Sequence, residues 1–147
     1  MTLLPLALAL GVHPALAYSR GEVSAGASVT PGSVPVRTSA RFVGEMCNDG
    51  TTNVAGTSFL GTYIPTGVTY RLVSAPTRGV CRAVLTGAYT YLYCTVSLRP
   101  GTCGSVNVDV TPTVAGDTTL YVLADSANQI RETNELDNQA SVVLTAY

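Results

Sequence analysis

Acidic and amide side chains are concentrated near the C-terminal end of the sequence, where they offer a dense set of oxygen ligands. The set consists of Asp125, Asn128, Glu132, Asn134, Glu135 and Asp137. Carboxylate and amide oxygens are the ligands that Ca²⁺ prefers. The ligand order of an EF-hand, D-x-[DN]-x-[DN]-G, nevertheless fails between Ser126 and Ile130. We therefore expect no metal ion and no cofactor, with calcium binding as the alternative.

The same segment has a structural interpretation as a long loop between the last two strands. In that interpretation the side chains of Asn134 and Asn138 bond backbone groups, as amides do in turns. Ile130 anchors the loop in the core, and Glu132 pairs with an arginine such as Arg131 or one across the sheet. We favour this structural role, because polar groups in folded proteins are normally hydrogen-bonded.

Residue types that support nucleophilic catalysis are scarce. All eight basic residues are arginines, and the one histidine, His13, lies in an N-terminal segment that we expect to be removed. A mature chain without His or Lys excludes serine and cysteine triads, Schiff-base and P-loop lysines, and histidine-ligated metals. A carboxylate pair could still serve a glycosidase, but the nine acidic residues form no recognisable motif. We predict a protein that is not an enzyme and has no catalytic residues.

An aromatic stripe stands out in the second half of the chain. Tyr89, Tyr91 and Tyr93 alternate along one predicted strand, so their rings share one face of it, and Arg82 lies opposite Tyr93. As structure, the stripe covers the sheet and the guanidinium stacks on a ring. As function, a tyrosine row with an arginine is a candidate contact surface for a sugar or a protein.

The four cysteines, Cys47, Cys81, Cys94 and Cys103, predict two disulfides among three connectivities in a short exported chain. Their spacing does not resemble a zinc knuckle. When residues are counted outward from a turn at 86–89, Cys81 falls opposite Cys94 across a hairpin. This predicts a Cys81–Cys94 bridge and leaves Cys47 to pair with Cys103.

The N-terminal residues resemble a secretion signal. Residues 2–17 are apolar and uncharged, and they end in Ala15-Leu16-Ala17, the small-x-small pattern that precedes cleavage by signal peptidase. The positive charge usual near the start of such a signal is missing. We predict a signal peptide over residues 1–17, with an uncleaved anchor or pilin-like helix as the rival, and a single domain over 18–147 that is secreted or held at the cell surface.

The remaining chain predicts an all-β protein, because apolar residues recur at every second position and turn residues interrupt them at short intervals. The predicted strands are 22–30, 34–47, 57–64, 68–73, the hairpin of 81–94, 105–110, 118–124 and 139–147. Seven or eight short strands at regular spacing favour an immunoglobulin-like sandwich of two antiparallel sheets.

Several of these stretches resemble the immunoglobulin-like repeat of unknown function found in bacterial surface proteins. The matching segments are PTGVTY at 65–70, GVC at 79–81, CTVSLRPG at 94–101, the strand at 106–112 and Ala115-Gly116. Cys47 and Cys103 depart from the usual pattern, which indicates an additional bridge.

The tail at 124–140 is similar to the ending of the cell-adhesion-related domain of bacteria, CARDB, with its "D-x-x-N-x-I-x-E-x-N-E-x-(D/N)-N" signature. The residues that carry the signature are Asp125, Asn128, Glu132, Asn134, Glu135 and Asn138. Asn48 and Gly50 match the "N-x-G" that follows the second strand in that family. The resemblance implies an immunoglobulin-like spacer, adhesion or assembly module without catalytic residues.

These observations together predict a secreted or surface module that acts by binding. Its expected partner is a protein or a cell-surface glycan, contacted through the loops or the tyrosine stripe. A net charge of −1 without a basic cluster argues against nucleic acid, and no membrane span is expected in the mature chain. The alternative is a self-assembling subunit of a filament or surface layer, for example one that lends the strand at 22–30, or the segment before it, to an open sheet edge of its neighbour.

Overall fold

A computed structural model describes residues 21–147, apart from the side chains of residues 56–59. The predicted signal peptide at 1–17 lies outside the described residues. The strands are β1 (Val23–Thr30), β2 (Ser33–Val34), β3 (Ala40–Asn48), β4 (Val54–Pro65), β5 (Val68–Ser74), β6 (Cys81–Leu85), β7 (Tyr89–Leu98), β8 (Cys103–Pro112), β9 (Gly116–Leu123) and β10 (Gln139–Ala146). Within this range no helix has the length and apolar character needed to cross a bilayer.

The strands form two sheets that pack face to face. One sheet has the order β1-β3-β8-β5, and the other has the order β2-β10-β9-β4-β7-β6. The pairings are antiparallel apart from the short parallel contact between β2 and β10. The prediction of an antiparallel, immunoglobulin-like β-sandwich is confirmed.

The core lies between the sheets and takes every second residue of the long strands. On β8 the side chains of Val106, Val108 and Val110 are fully buried, as the alternation in the sequence predicts. The largest of the other fully buried side chains come from both sheets: Phe42, Met46, Leu60, Ile64, Leu120 and Leu144. Ile130, the predicted loop anchor, is also buried in this cluster.

The strand predicted at 34–47 is wrong as a single element, because the structure divides it into β2 and β3. Pro35 follows β2 and cannot donate to a strand ladder. Arg37 then adopts a left-handed backbone with φ of 67°, and its N–H donates to the carbonyl of Pro112 at the end of β8. This break allows β2 to join one sheet and β3 the other, and it contributes to the ten strands found in residues 21–147, where seven or eight were expected.

The two disulfides have the connectivity that the hairpin count predicts. Cys81–Cys94 joins register partners on β6 and β7, and Cys47–Cys103 joins register partners on β3 and β8. Each bridge therefore fixes two neighbouring strands of one sheet rather than linking the two sheets.

Removing the bridge between β3 and β8 should destabilise the fold substantially. The double variant Cys47→Ala with Cys103→Ala releases a cross-link that spans 56 residues. The chain-entropy argument gives a loss of about 4 kcal/mol in the free energy of unfolding. Urea denaturation under non-reducing conditions measures this loss, and a variant as stable as the wild type would contradict it.

Candidate functional site

The loop between β9 and β10 (residues 124–138, the β9–β10 loop) is organised around a buried carboxylate. Asp125 is 5% exposed, and its two oxygens accept the N–H groups of Gln129 and Ile130 at 2.9 and 2.8 Å. Asp125 and Asn128 both have a positive φ, a conformation that Asp and Asn tolerate better than most residues. This turn carries Ile130 into the core.

Glu132 connects the β9–β10 loop to the start of β1. Its carboxylate accepts the backbone N–H of Val23 and the side-chain amide of Asn138. Glu135 accepts from the same amide at 3.1 Å. The expected pairing of Glu132 with Arg131 is wrong, because the carboxylate lies between a backbone donor and an amide donor.

The two asparagines of the loop behave differently. Asn134 accepts the N–H of Leu136 at 3.2 Å, as predicted for an amide that bonds the backbone. Asn138 instead donates to the carboxylates of Glu132 and Glu135, which differs from the expectation. The two negatively charged carboxylates can lie close together because both accept hydrogen bonds from the same amide group.

The Asn48–Gly50 turn packs beside the same loop. Asn48 is fully buried, and its side-chain amide donates to the carbonyls of Thr52 and Leu98 at 2.8 and 3.1 Å. Its side-chain oxygen accepts the N–H of Gly50 at 3.0 Å. A β-carbon at Gly50 would lie 2.8 Å from the backbone nitrogen of Glu22, so this close approach requires glycine.

Acidic side chains around this end of the sandwich are paired with donors. Glu22 accepts from the N–H and the hydroxyl of Thr133, and Asp49 accepts from the hydroxyl of Ser24. They line an open cleft of about 580 Å³ together with Glu132. The cleft therefore contains carboxylates engaged in structural hydrogen bonds.

The carboxylates of the β9–β10 loop do not converge as metal ligands. In the described part of the chain, three Cys, His, Asp or Glu ligand atoms come within 4.8 Å of one another at Glu45, Cys47 and Cys103 alone. Both sulfurs of that group belong to a disulfide, so they are unavailable as thiolates. The loop acids Asp125 and Glu132 accept backbone N–H groups.

The predicted tyrosine stripe belongs to a larger aromatic surface on the six-stranded sheet. Leu92 and Cys94 point into the core, so the alternating tyrosines of β7 point outward. Register pairs Tyr91 with Tyr63 on β4, and Tyr63 with Tyr121 on β9. The surface, here called the tyrosine face, comprises Tyr63, Tyr89, Tyr91, Tyr93 and Tyr121.

The rings of the tyrosine face contact one another. The ring centroids of Tyr63 lie 5.0 Å from Tyr89 and 4.8 Å from Tyr91, and those of Tyr91 and Tyr93 are 5.6 Å apart. Contacts of this kind stabilise aromatic pairs by about 0.5–1.5 kcal/mol beyond area burial. Tyr89 and Tyr121 are 37% and 40% exposed, so the most accessible rings lie on different strands of the face.

Gly61 provides the space that Tyr91 occupies. A β-carbon at Gly61 would lie 2.6 Å from the Tyr91 hydroxyl and 2.7 Å from its Cε2, which is closer than atoms can approach. The ring therefore covers this glycine, and the side chain of Ser126 in the β9–β10 loop lies beside its hydroxyl. This contact connects the tyrosine face to the loop that carries the CARDB-like signature.

Charge on the tyrosine face is sparse. Arg82 on β6 is the register partner of Tyr93, as predicted, and Asp117 lies on β9, bonded by the hydroxyl of Thr145. Burial raises the pKa of the Tyr63 and Tyr91 phenols, so both stay protonated at neutral pH. The surface presents neutral hydroxyl groups and aromatic carbon.

Sequence reasoning found three of the five tyrosines and missed Tyr63, Tyr121 and the glycine beneath Tyr91. The alternation of β4 carries a signal for Tyr63, because Leu60 and Ile64 have the opposite parity. No local pattern shows that β4 lies between β7 and β9, since that neighbourhood comes from strand order.

The carboxylates predict a specific pH dependence of stability. Burial raises the pKa of Glu132, partly opposed by its hydrogen bonds with Asn138 and Val23, and burial likewise raises the pKa of Asp125. Groups whose pKa is raised by folding stabilise the protein as pH falls toward their unfolded values, near pH 4. No histidine lies in 21–147 to titrate in between. We expect a higher urea midpoint at pH 5 than at pH 8.

The trend should reverse in more acidic solution. Hydrogen bonds from Thr133 lower the pKa of Glu22, and Arg41 followed by Arg71 lowers the pKa of Asp109. Stability from these groups is lost as pH falls through their lowered pKa values, below about pH 4. The variant Glu132→Gln should flatten the slope between pH 5 and 8, and an unchanged slope would refute this assignment.

Comparison with known proteins agrees with the fold and the loop signature. The CARDB family model matches residues 23–142, and no curated protein matches the sequence significantly. The crystal structure of the CARDB domain of the PF1109 protein from Pyrococcus furiosus, in complex with di-metal ions, is 20% identical with a TM-score of 0.60, covering 88% of this chain and 96% of that one.

A second similar structure is a domain of a Methanosarcina acetivorans protein assigned to the cell surface. It is 21% identical with a TM-score of 0.52, and the match covers 87% of this chain and 93% of that one. Identities at this level establish a shared fold. Together with the family match over most of the sequence, they lead to one conclusion: the chain belongs to the CARDB family.

Proposed function

We propose that this protein is a non-enzymatic adhesion module, exported to the cell surface or beyond, that binds a neutral glycan through the tyrosine face. The observation that carries the proposal is the alignment of five outward tyrosines on three adjacent strands. Tyrosine combines a flat apolar ring with a hydroxyl, and it orders at low entropic cost. A sugar presents the matching combination of C–H faces and hydroxyl groups.

The sparse charge on the face favours a neutral glycan over a protein partner. Protonated phenols and the single guanidinium of Arg82 offer hydrogen-bond donors without a strong field. Protein interfaces of similar composition usually place charged groups around an aromatic centre. A protein ligand is therefore the second outcome of the binding experiment.

Export is supported by the two disulfides. Bridges such as Cys47–Cys103 and Cys81–Cys94 persist in oxidising compartments and are rare in the cytosol. The proposal also accords with the cell-surface assignment of the Methanosarcina protein. A non-enzymatic role is supported by the acids Glu22, Asp125 and Glu132, whose oxygens accept structural hydrogen bonds.

The alternative of a self-assembling subunit that donates the strand at 22–30 receives less support. All eight residues of β1 pair with β3 of the same chain, and Val23 is buried in the core. Donation would have to break this ladder before forming an equivalent one in a neighbour.

Replacing the two most exposed rings should abolish most of the binding while preserving the fold. The double variant Tyr89→Ser with Tyr121→Ser should weaken glycan affinity by about 2 kcal/mol, roughly 30-fold, by removing one ring at each side of the face. Screening the protein against a panel of cell-wall polysaccharides identifies a ligand, and calorimetric titration then gives the affinities.

The control is Tyr147→Ser, which removes a tyrosine that is 71% exposed and is absent from the face. It should bind like the wild type. A second variant, Gly61→Ala, should also weaken binding, because the added methyl displaces the Tyr91 ring. Equal affinity of all variants would refute the proposed site. Binding to a surface protein and to no polysaccharide would show that the ligand is a protein rather than a glycan.

We also propose that the β9–β10 loop keeps its shape without a metal ion. The Pyrococcus domain was crystallised with di-metal ions, whereas the loop acids of this chain meet N–H donors. Calorimetric titration with Ca²⁺ should show no binding up to millimolar concentration, and the melting temperature should not rise. Saturable uptake that Asp125→Asn abolishes would establish calcium binding instead.

A further inference from the structure

Strand β6 ends the six-stranded sheet and leaves one side of its backbone unpaired. The N–H of Thr95 donates to the carbonyl of Val80 at 3.0 Å, and the N–H of Thr86 donates to the carbonyl of Tyr89 at 2.9 Å. Hydrogen-bonded pairs alternate along an antiparallel ladder. Even-numbered residues of β6 therefore bond to β7, and Cys81, Ala83 and Leu85 direct their N–H and C=O groups away from the sheet.

This edge is open and apolar. Val80, Val84 and Leu85 are 61%, 47% and 76% exposed, and Ala83 is exposed between them. In the described part of the chain β6 is hydrogen-bonded to β7 alone. The one charged residue of β6 is Arg82, whose side chain lies on the same side of the sheet as the tyrosine face because it pairs in register with Tyr93.

The other sheet edges carry features that block pairing with another chain. Strand β5 has a register shift between Leu72 and Ser74, and Arg71 on it pairs with Asp109. Strand β2 has only two residues. The outer side of β1 is covered, because the N–H of Ala25 donates to the carbonyl of Asp137 in the β9–β10 loop at 2.9 Å.

We propose that β6 pairs with β6 of a second copy of this chain, antiparallel about a twofold axis at Ala83. Ala83 then lies opposite the partner's Ala83, Cys81 lies opposite the partner's Leu85, and Leu85 lies opposite the partner's Cys81. These three pairs each exchange two backbone hydrogen bonds. The two six-stranded sheets become one continuous sheet.

The composition of the edge suits a second copy in particular. A small residue lies at the twofold axis, where two identical side chains must lie directly opposite each other. Arg82 lies opposite the partner's Val84, so the two guanidinium groups do not face each other. Leu85 meets the partner's Cys81, whose disulfide to Cys94 lies on the same side of the sheet. Such isologous contacts are the commonest basis of dimers.

The dimer does not depend on what the tyrosine face binds, but it changes the consequence of binding. Two tyrosine faces would lie on the same side of one sheet, and a polymeric ligand could contact both. Linked sites bind with higher avidity than either site alone.

Sedimentation velocity and amide hydrogen exchange test the pairing. Wild-type protein, followed from micromolar to near-millimolar concentration, should shift from monomer to dimer. The amides of Ala83 and Leu85 should gain protection from exchange as the dimer forms. Ala83→Pro removes an outward N–H without removing a bond to β7, and it should weaken association at least tenfold.

Ala83→Val is the matched control, because it keeps the N–H and should still dimerise. If the β7 amides of Ala83→Pro lose their protection from exchange, the variant has disturbed the fold and Ala83→Lys is used instead. Two lysines at the axis repel each other and should weaken association while the protein stays folded. The tyrosine-face variant Tyr89→Ser with Tyr121→Ser should dimerise normally. A monomer at every concentration, or a dimer that leaves the Ala83 amide unprotected, would overturn the proposal.

Discussion

The interior between the two sheets takes only every second side chain of each long strand, and the rest of the molecule depends on this packing constraint. Phe42, Leu60 and Val108 meet there from different strands and are fully buried. Because successive side chains of a strand alternate, a slip of one residue would place Arg41 in the core instead of Phe42, or Asp109 instead of Val108. Burial thus fixes the register of every long strand. It also decides which residues form the outer surfaces, including the tyrosine face.

The β9–β10 loop is the second organising feature, and it works through backbone donors. A 15-residue connection must satisfy its own N–H and C=O groups, and Asp125 does so for two consecutive amides. Glu132 accepts the N–H of Val23, so the loop before the last strand is bonded to the start of β1. The acidic signature of the family is therefore consistent with a fold requirement in this chain. Tyr91 adds a link from the loop to the aromatic surface through Ser126.

The tyrosine face and the β6 edge of the six-stranded sheet lie outside the core and take no part in the bonds of the β9–β10 loop to β1, so they can contact other molecules. The tyrosine face offers aromatic carbon and neutral hydroxyls, which suit a ligand with the same mixture of properties. The β6 edge offers unpaired backbone groups at Ala83 and its neighbours, which suit another strand. The two surfaces adjoin at Arg82, which lies on β6 and pairs in register with Tyr93. The proposed binding and the proposed pairing would act together, because linked weak contacts add.

The sequence alone determined the all-β class, the disulfide connectivity, the buried parity of β8 and the family signature, since each depends on spacing within short segments. Tertiary structure decided the break after β2, the partners of Glu132, and the assembly of Tyr63 and Tyr121 with the tyrosines of β7. These features depend on which distant strands become neighbours. Strand order is set by the packing of the whole core rather than by local alternation, so no single segment encodes it.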